Sequence, residues 1–185
     1  MYCLDTDVVA AALLRDPPLA LVRRLARTPP DEQCTTTVTL SEIAYAAARN
    51  GEPELLTQAR ELLGAAGLIL PFDADAAETY GALRARLDSM GIRLDEPSLR
   101  IAAIAVGRDL TLVTGSGRLY TRVPGLRIEN WLEPDEHDLA DDASGEVDAT
   151  PDAERPATIG PGTSAGDGAV RLPGLLPGHG ATPAE

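Results

Sequence analysis

Along this chain, short and continuously apolar runs alternate with longer stretches in which apolar residues recur at helical spacing. Tyr2-Cys3-Leu4 opens the series. It reads as a strand buried on both faces, as inside a parallel sheet. Val8, Val9, Ala12 and Leu13 then recur as on one helix face. Pro17 and Pro18 precede a second helical pattern, with Leu19, Leu21, Val22 and Leu25 on one side and Arg23, Arg24 and Arg27 on the other. Residues 33–38, rich in β-branched types, predict the second strand. A helix from Thr39 and another carrying Leu55, Leu56, Ala59, Leu62 and Leu63 follow. Residues 67–72 predict a third strand. A long helix runs from Ala74 to about Met90, and a strongly apolar one spans residues 98–106. Leu110–Val113 and Leu126–Glu129 predict two more strands, and Trp131 and Leu132 should close the domain edge. Strands alternating with helices predict an α/β domain: about five parallel strands with helices on both faces.

After Pro134 the pattern stops. Residues 135–185 hold six Pro and eight Gly, with one apolar patch at residues 172–177. They also carry eleven acidic side chains against two arginines, a net −9 of the chain's −13, leaving −4 for residues 1–134. Such a segment buries too little surface to offset its ordering entropy. The expected organisation is a domain over residues 1–133 and a disordered acidic tail over 134–185. A mildly acidic domain has no global basic field of the kind that marks many nucleic-acid binders. All basic residues are Arg, and coding bias accounts for that. Cys3 and Cys34 lie in strand-like contexts and read as buried, reduced thiols. No signal peptide or apolar run of membrane length is present, so a cytoplasmic protein without membrane contact is expected. Both histidines, His137 and His179, fall in the tail, which argues against a histidine-based site.

Two carboxylates stand out by position. Asp5 ends the first strand, and in open α/β sheets sites form at the carboxyl ends of strands. It reads equally as a helix cap and as a ligand; Asp7 and Thr6 read as caps of the following helix. Glu42 lies just beyond the second strand. Thr39 and Glu42 also have capping-box spacing, so Glu42 reads either as a cap reaching back to Thr39 or as a second site carboxylate. Asp95 and Glu96, before Pro97, form a helix-start signal. No strand leads into a glycine-rich phosphate loop, which disfavours a nucleotide-binding domain.

Five motifs carry a resemblance: Leu4-Asp5-Thr6-Asp7, Thr39-Leu40-Ser41-Glu42 before Tyr45, Ile101-Ala102-Ala103-Ile104-Ala105, Leu112-Val113-Thr114-Gly115, and Arg122-Val123-Pro124-Gly125-Leu126. In this order and spacing, over about residues 1–132, the chain resembles the PIN-domain family, and more narrowly the VapC toxins of bacterial VapBC toxin–antitoxin systems. The resemblance implies a PIN-like sheet and a metal-dependent endoribonuclease. It further implies RNA as substrate, a cognate small antitoxin as partner, and a homodimer. Mg²⁺, or Mn²⁺ in its place, would be held by a carboxylate set in which Asp5 and Glu42 match the first two positions. The chain departs from the pattern at the rest. Ser98 stands where the third acidic residue is expected, Ser116 where Asn or Asp is expected, and Leu119 at a further polar position. Asp95 either caps its helix or swings into the vacancy at Ser98. The resemblance thus implies catalytic roles for Asp5, Glu42 and Ser116, with metal contacts from Asp5, Glu42, Ser98 and Asp95 and support from Thr6 and Thr114. Lost carboxylates imply weakened activity. The alternative is a catalytically inactive PIN fold that binds an antitoxin or RNA.

The composition break after Pro134 yields a first prediction. A chain truncated after Glu133 should retain the cooperative melting transition of the full chain. Loss of that transition on truncation would show that the tail contributes to the core.

Overall fold

The computed structural model describes residues 1–62 and 68–134. The expected disordered tail lies outside them except for Pro134, as do Leu63 and Gly67. Five parallel strands form one sheet: β1 (Tyr2–Leu4), β2 (Gln33–Thr36), β3 (Leu68–Leu70), β4 (Thr111–Val113) and β5 (Arg127–Glu129). Their spatial order is β3-β2-β1-β4-β5. After β1 the chain steps outward through β2 and β3, then crosses back to place β4 on the other side of β1.

The helices between strands fall on two faces. On one face lie α1 (Thr6–Ala12), α2 (Leu19–Arg27), α3 (Thr37–Asn50) and α4 (Glu54–Leu62). On the other lie α5 (Ala74–Ser89) and α6 (Glu96–Gly107). Period-two alternation in the strands decides which residue meets which face. Cys3 and Leu112 pack with α5 and α6, whereas their neighbours Leu4 and Val113 pack with α1, α3 and α4. This is why the strands read as continuous apolar runs. Cys3 and Cys34 are register partners on adjacent strands, buried and free. Trp131 is buried against Tyr2, with ring centroids 5.0 Å apart, and closes the edge beside β5.

Three details differ from the sequence reading. First, the second strand stops at Thr36, and α3 begins two residues earlier than its apolar pattern suggests. The Thr36 hydroxyl accepts the N–H of Thr39 at 3.0 Å and is the actual N-cap. The capping box between Thr39 and Glu42 is therefore not formed, and Glu42 lies inside the helix, free to face elsewhere. Second, the glycine-rich segment after β4 contains a short helix, α7 (Gly117–Tyr120), whose Tyr120 is buried. Third, the apolar side of α2 is only partly covered: Leu21 is buried, but Leu19 is 60% and Val22 42% exposed.

The cap assignment can be checked. Thr36→Ala should lower stability by about 1 kcal/mol, the usual cost of losing an N-cap. Glu42→Gln should leave the α3 start intact, as read from amide exchange of residues 37–40. Equal fraying in both variants would contradict a Thr36 cap.

Candidate active site

The strand order reverses between β1 and β4, and at such a switch point the connections leave a crevice beyond the carboxyl ends of the strands. Asp5 sits there. Its backbone N–H continues the sheet by donating to the Val113 carbonyl at 3.0 Å. Its side chain caps α1 by accepting the N–H of Thr6 at 2.8 Å. The position is only 5% exposed.

Glu42 reaches the same place from the neighbouring strand end. It sits on the second turn of α3, directly after β2. The Thr6 hydroxyl donates to Glu42 Oε2 at 2.5 Å. One residue thus serves both carboxylates: its amide goes to Asp5 and its hydroxyl to Glu42.

Asp7 has a different job from the capping expected of it. Its Oδ2 accepts the Gly115 N–H at 3.0 Å, the Ser116 hydroxyl at 3.0 Å and the Thr114 hydroxyl at 3.2 Å. It clamps the segment after β4 onto the start of α1. The absence of a side chain at residue 115 matters here. A Cβ on Gly115 would lie 2.6 Å from Leu132 Cδ1 and 3.4 Å from Asp7 Oδ2.

Charge crowding has consequences. Burial, then the nearby Asp7, push the Asp5 carboxyl up to about 7, against the opposing donors Thr6, Tyr120 and Thr114. Glu42 is also raised, first by burial and then by the charge of Asp95, with the Thr6 hydroxyl opposing. Asp95 is thus close enough for Glu42 to feel it. Its own carboxylate accepts the Ser98 N–H at 2.8 Å and caps α6. Glu96 is engaged elsewhere, with Tyr80, Arg84 and Arg100.

The residues singled out from sequence therefore gather as follows. Asp5 and Glu42 meet through Thr6, Ser116 joins Asp7, and Asp95 caps α6 by accepting the Ser98 N–H. Tyr120 was not among them. It is buried, and its own ionisation is pushed far up by burial and by the Asp5 charge. The signal for it was faint: one aromatic residue in a polar segment, in a chain with only 3% aromatics.

As donors, Asp5 and Glu42 could hold a single hard cation such as Mg²⁺, which commonly takes one or two carboxylates and completes its shell with water and phosphate oxygens. One buried and one half-buried carboxylate, both with raised proton affinity, are the chemistry such an ion relieves. Among the described residues, no group of three or more His, Cys, Asp or Glu side chains surrounds a common point. The donor set fits one ion on two carboxylates, with hydroxyls around it, better than a larger acidic cage.

Comparisons with known proteins identify the family of the fold. The chain belongs to the PIN-domain family, whose model matches residues 2–125. Within that class it is similar to the VapC ribonucleases. It is 32% identical over 130 residues to the tRNA(fMet)-specific endonuclease VapC of Shigella flexneri, covering 70% of this chain and 97% of that one. It is 30% identical over 131 residues to ribonuclease VapC2 of Haemophilus influenzae, covering 71% and 98%. In three dimensions it is similar to VapBC2 from Rickettsia felis bound to a promoter DNA fragment, with TM-score 0.62, 25% identity, and 70% and 98% of the chains covered. DNA-bound VapBC from Salmonella typhimurium gives TM-score 0.61 at 28% identity, covering 70% of this chain and 97% of that one. Among the described residues, no helix is long and apolar enough to cross a membrane.

The raised Asp5 makes a stability prediction with a definite sign. A carboxyl whose folded pKa lies above its unfolded value of roughly 3.9 stabilises the fold when protonated. That contribution is complete below the unfolded value and is lost as pH rises through about 7. Without divalent cations, the chain should lose on the order of 4 kcal/mol from this group between those limits. Asp5→Asn, which cannot ionise, should melt several degrees above wild type at pH 8 in EDTA and close to it at pH 4. Equal melting temperatures at pH 8 would contradict a buried, repelled carboxylate.

Proposed function

We propose that this chain is a PIN-domain endoribonuclease, the toxin of a toxin–antitoxin pair acting in the cytoplasm, and that it cleaves RNA with the help of one Mg²⁺ or Mn²⁺ ion. The observation that carries this reading is the convergence of Asp5 and Glu42, joined through Thr6, at the switch point of the sheet. The relatives' names support the choice of RNA as substrate, since the curated matches, aligned over nearly their whole length, include ribonucleases and tRNA-specific endonucleases.

In this reading Asp5 and Glu42 hold the cation, with Ser98, Ser116 and Asp95 around them. When bound, the ion supplies a positive charge for the phosphate and a water of lowered pKa. The chain's own residues do the rest. Thr6 fixes both carboxylates in one orientation. The Asp7 clamp sets the position of residues 114–116 at the mouth of the crevice. Asp5 must be ionised to serve as a ligand, so cation uptake should strengthen as pH rises through about 7.

For the antitoxin, the partly covered face of α2 offers a fitting surface. An apolar groove of about 430 Å³ is lined by Ala12, Pro17, Leu21, Val22, Leu25 and neighbours. An amphipathic helix in a groove of this kind is a common mode of peptide recognition.

A second reading, a catalytically inactive fold that binds an antitoxin or RNA, is favoured by one observation. Among the described residues no group of three or more acidic side chains surrounds a common point, and serines stand at residues 98 and 116. The two readings separate in one assay. The purified full chain is incubated with structured RNAs, initiator tRNA transcripts included, in Mg²⁺, Mn²⁺ or EDTA. Cleavage in either cation, absent in EDTA and reduced at least a hundredfold by Asp5→Asn, supports the nuclease. Ser98→Asp should raise Mg²⁺ affinity and cleavage together, because it adds a charge beside the ion. Cleavage that survives Asp5→Asn, or RNA binding without cleavage in any cation, would sink the nuclease reading.

A further inference from the structure

We propose that residues 172–177 of this chain occupy the apolar groove beside α2, so that the protein covers its own partner surface until a partner displaces them. The proposal goes beyond the nuclease reading and does not depend on it. The groove is apolar surface that the packing of α2 leaves open. Leu21 is buried, but Val22, which lines the groove with Pro17, Leu25 and Pro30, is exposed. Leu19, one turn before Val22 on the same helix, is exposed as well. Apolar area held in water is unfavourable, and an apolar segment that covers it is stabilised in proportion to the area removed.

Three features select the occupant. The first is where the chain leaves the domain. Arg24 of α2 pairs with Glu129 of β5 at 2.5 Å, and its guanidinium lies 5.2 Å from the centroid of the Trp131 ring. The end of the domain therefore lies against α2. The second is reach. Residue 172 follows Pro134 by 38 positions, 172 − 134. A flexible spacer of that length spans roughly 35 Å on average, against about 14 Å for the length of α2. It presents the segment to the groove at an effective concentration of roughly millimolar, so modest contacts suffice. The third is chemistry. Residues 172–177 read Leu-Pro-Gly-Leu-Leu-Pro, with three leucines and no charge. Pro173 and Pro177 disfavour a helix and bias Leu172 and Leu176 toward extended backbone, which lowers the entropy lost on docking. The spacer is opposite in charge to α2. Residues 135–154 hold nine acidic side chains and neither Lys nor Arg, whereas α2 carries Arg23, Arg24 and Arg27 and no acidic residue. Attraction to the arginine side of the helix brings the leucines toward its apolar side. A second copy meeting this face about a two-fold axis would instead set arginine against arginine. A partner helix entering the groove must displace residues 172–177, which lowers its apparent affinity by the fraction of chains whose groove is open.

The test uses the full chain with Gly178→Cys carrying a nitroxide. Cys3 and Cys34 are buried, so the label goes to the new thiol. Methyl resonances of Leu19, Val22 and Leu25 should broaden several-fold more than those of Leu83 and Leu87, which pack on the other face of the sheet. Adding Leu175→Asp with Leu176→Asp should reduce the broadening to the level seen at Leu83 and Leu87. A mixture of nitroxide-bearing chain without ¹³C and ¹³C-methyl chain without nitroxide should show no broadening at α2. Equal or absent broadening on the two faces, or broadening that survives Leu175→Asp with Leu176→Asp, overturns the proposal. Broadening in the mixture overturns it too, and identifies a second copy as the occupant. The sample holds no RNA, cation or antitoxin, so each of these outcomes leaves the nuclease reading where it stood.

Discussion

The desolvation of Asp5 is the constraint to which the rest of the site is fitted. An ionised carboxylate at the end of a buried strand is costly unless donors or a cation surround it. Its surroundings supply a helix N-terminal amide, a threonine hydroxyl and a phenol, while Asp7 nearby works the other way. The parallel sheet makes this crowding unavoidable. Every strand runs in the same direction, so every strand-to-helix junction lies on one edge, and the residues that begin helices are gathered there. Asp5 follows β1, Glu42 follows β2, and Thr114 follows β4. The switch in strand order then leaves a gap beside β1 where something other than protein can enter.

Within this frame the acidic residues divide their work. Glu42 could have served α3 as a cap, but Thr36, the last residue of β2, already does so. That substitution of roles leaves Glu42 to face Thr6. Asp95 remains a cap, and its charge raises Glu42. The same side-chain chemistry, a carboxylate near a helix start, thus has three outcomes at three helices. What differs is how many donors each backbone presents nearby.

The sheet and its helices were legible because two periodicities agree with each other. Short apolar runs could only be strands buried on both faces, and the intervening stretches had helical spacing. The pairing of Asp5 with Glu42 was legible too, as residues at neighbouring strand ends. What was hidden lay in short segments with weak periodicity. Residues 114–120 hold two glycines and two hydroxyl residues, and nothing in that pattern distinguishes a loop from the four-residue helix that buries Tyr120. Asp7 was hidden for another reason. Its partners are more than a hundred positions away, and local capping explains its presence without them.

The Asp7 clamp bears on how loss-of-function variants of this protein are to be interpreted. Asp7 is acidic, lies two residues from Asp5, and stands within the stretch matched to the PIN-domain family, so a genetic screen would score it as a catalytic residue. Its carboxylate is instead occupied by an amide and two hydroxyls of residues 114–116. A substitution there loosens the loop that frames the crevice before it touches any chemistry. Variants at residue 7 and residue 5 would share a phenotype while differing in cause: one protein would have lost the shape of its site, the other its charge.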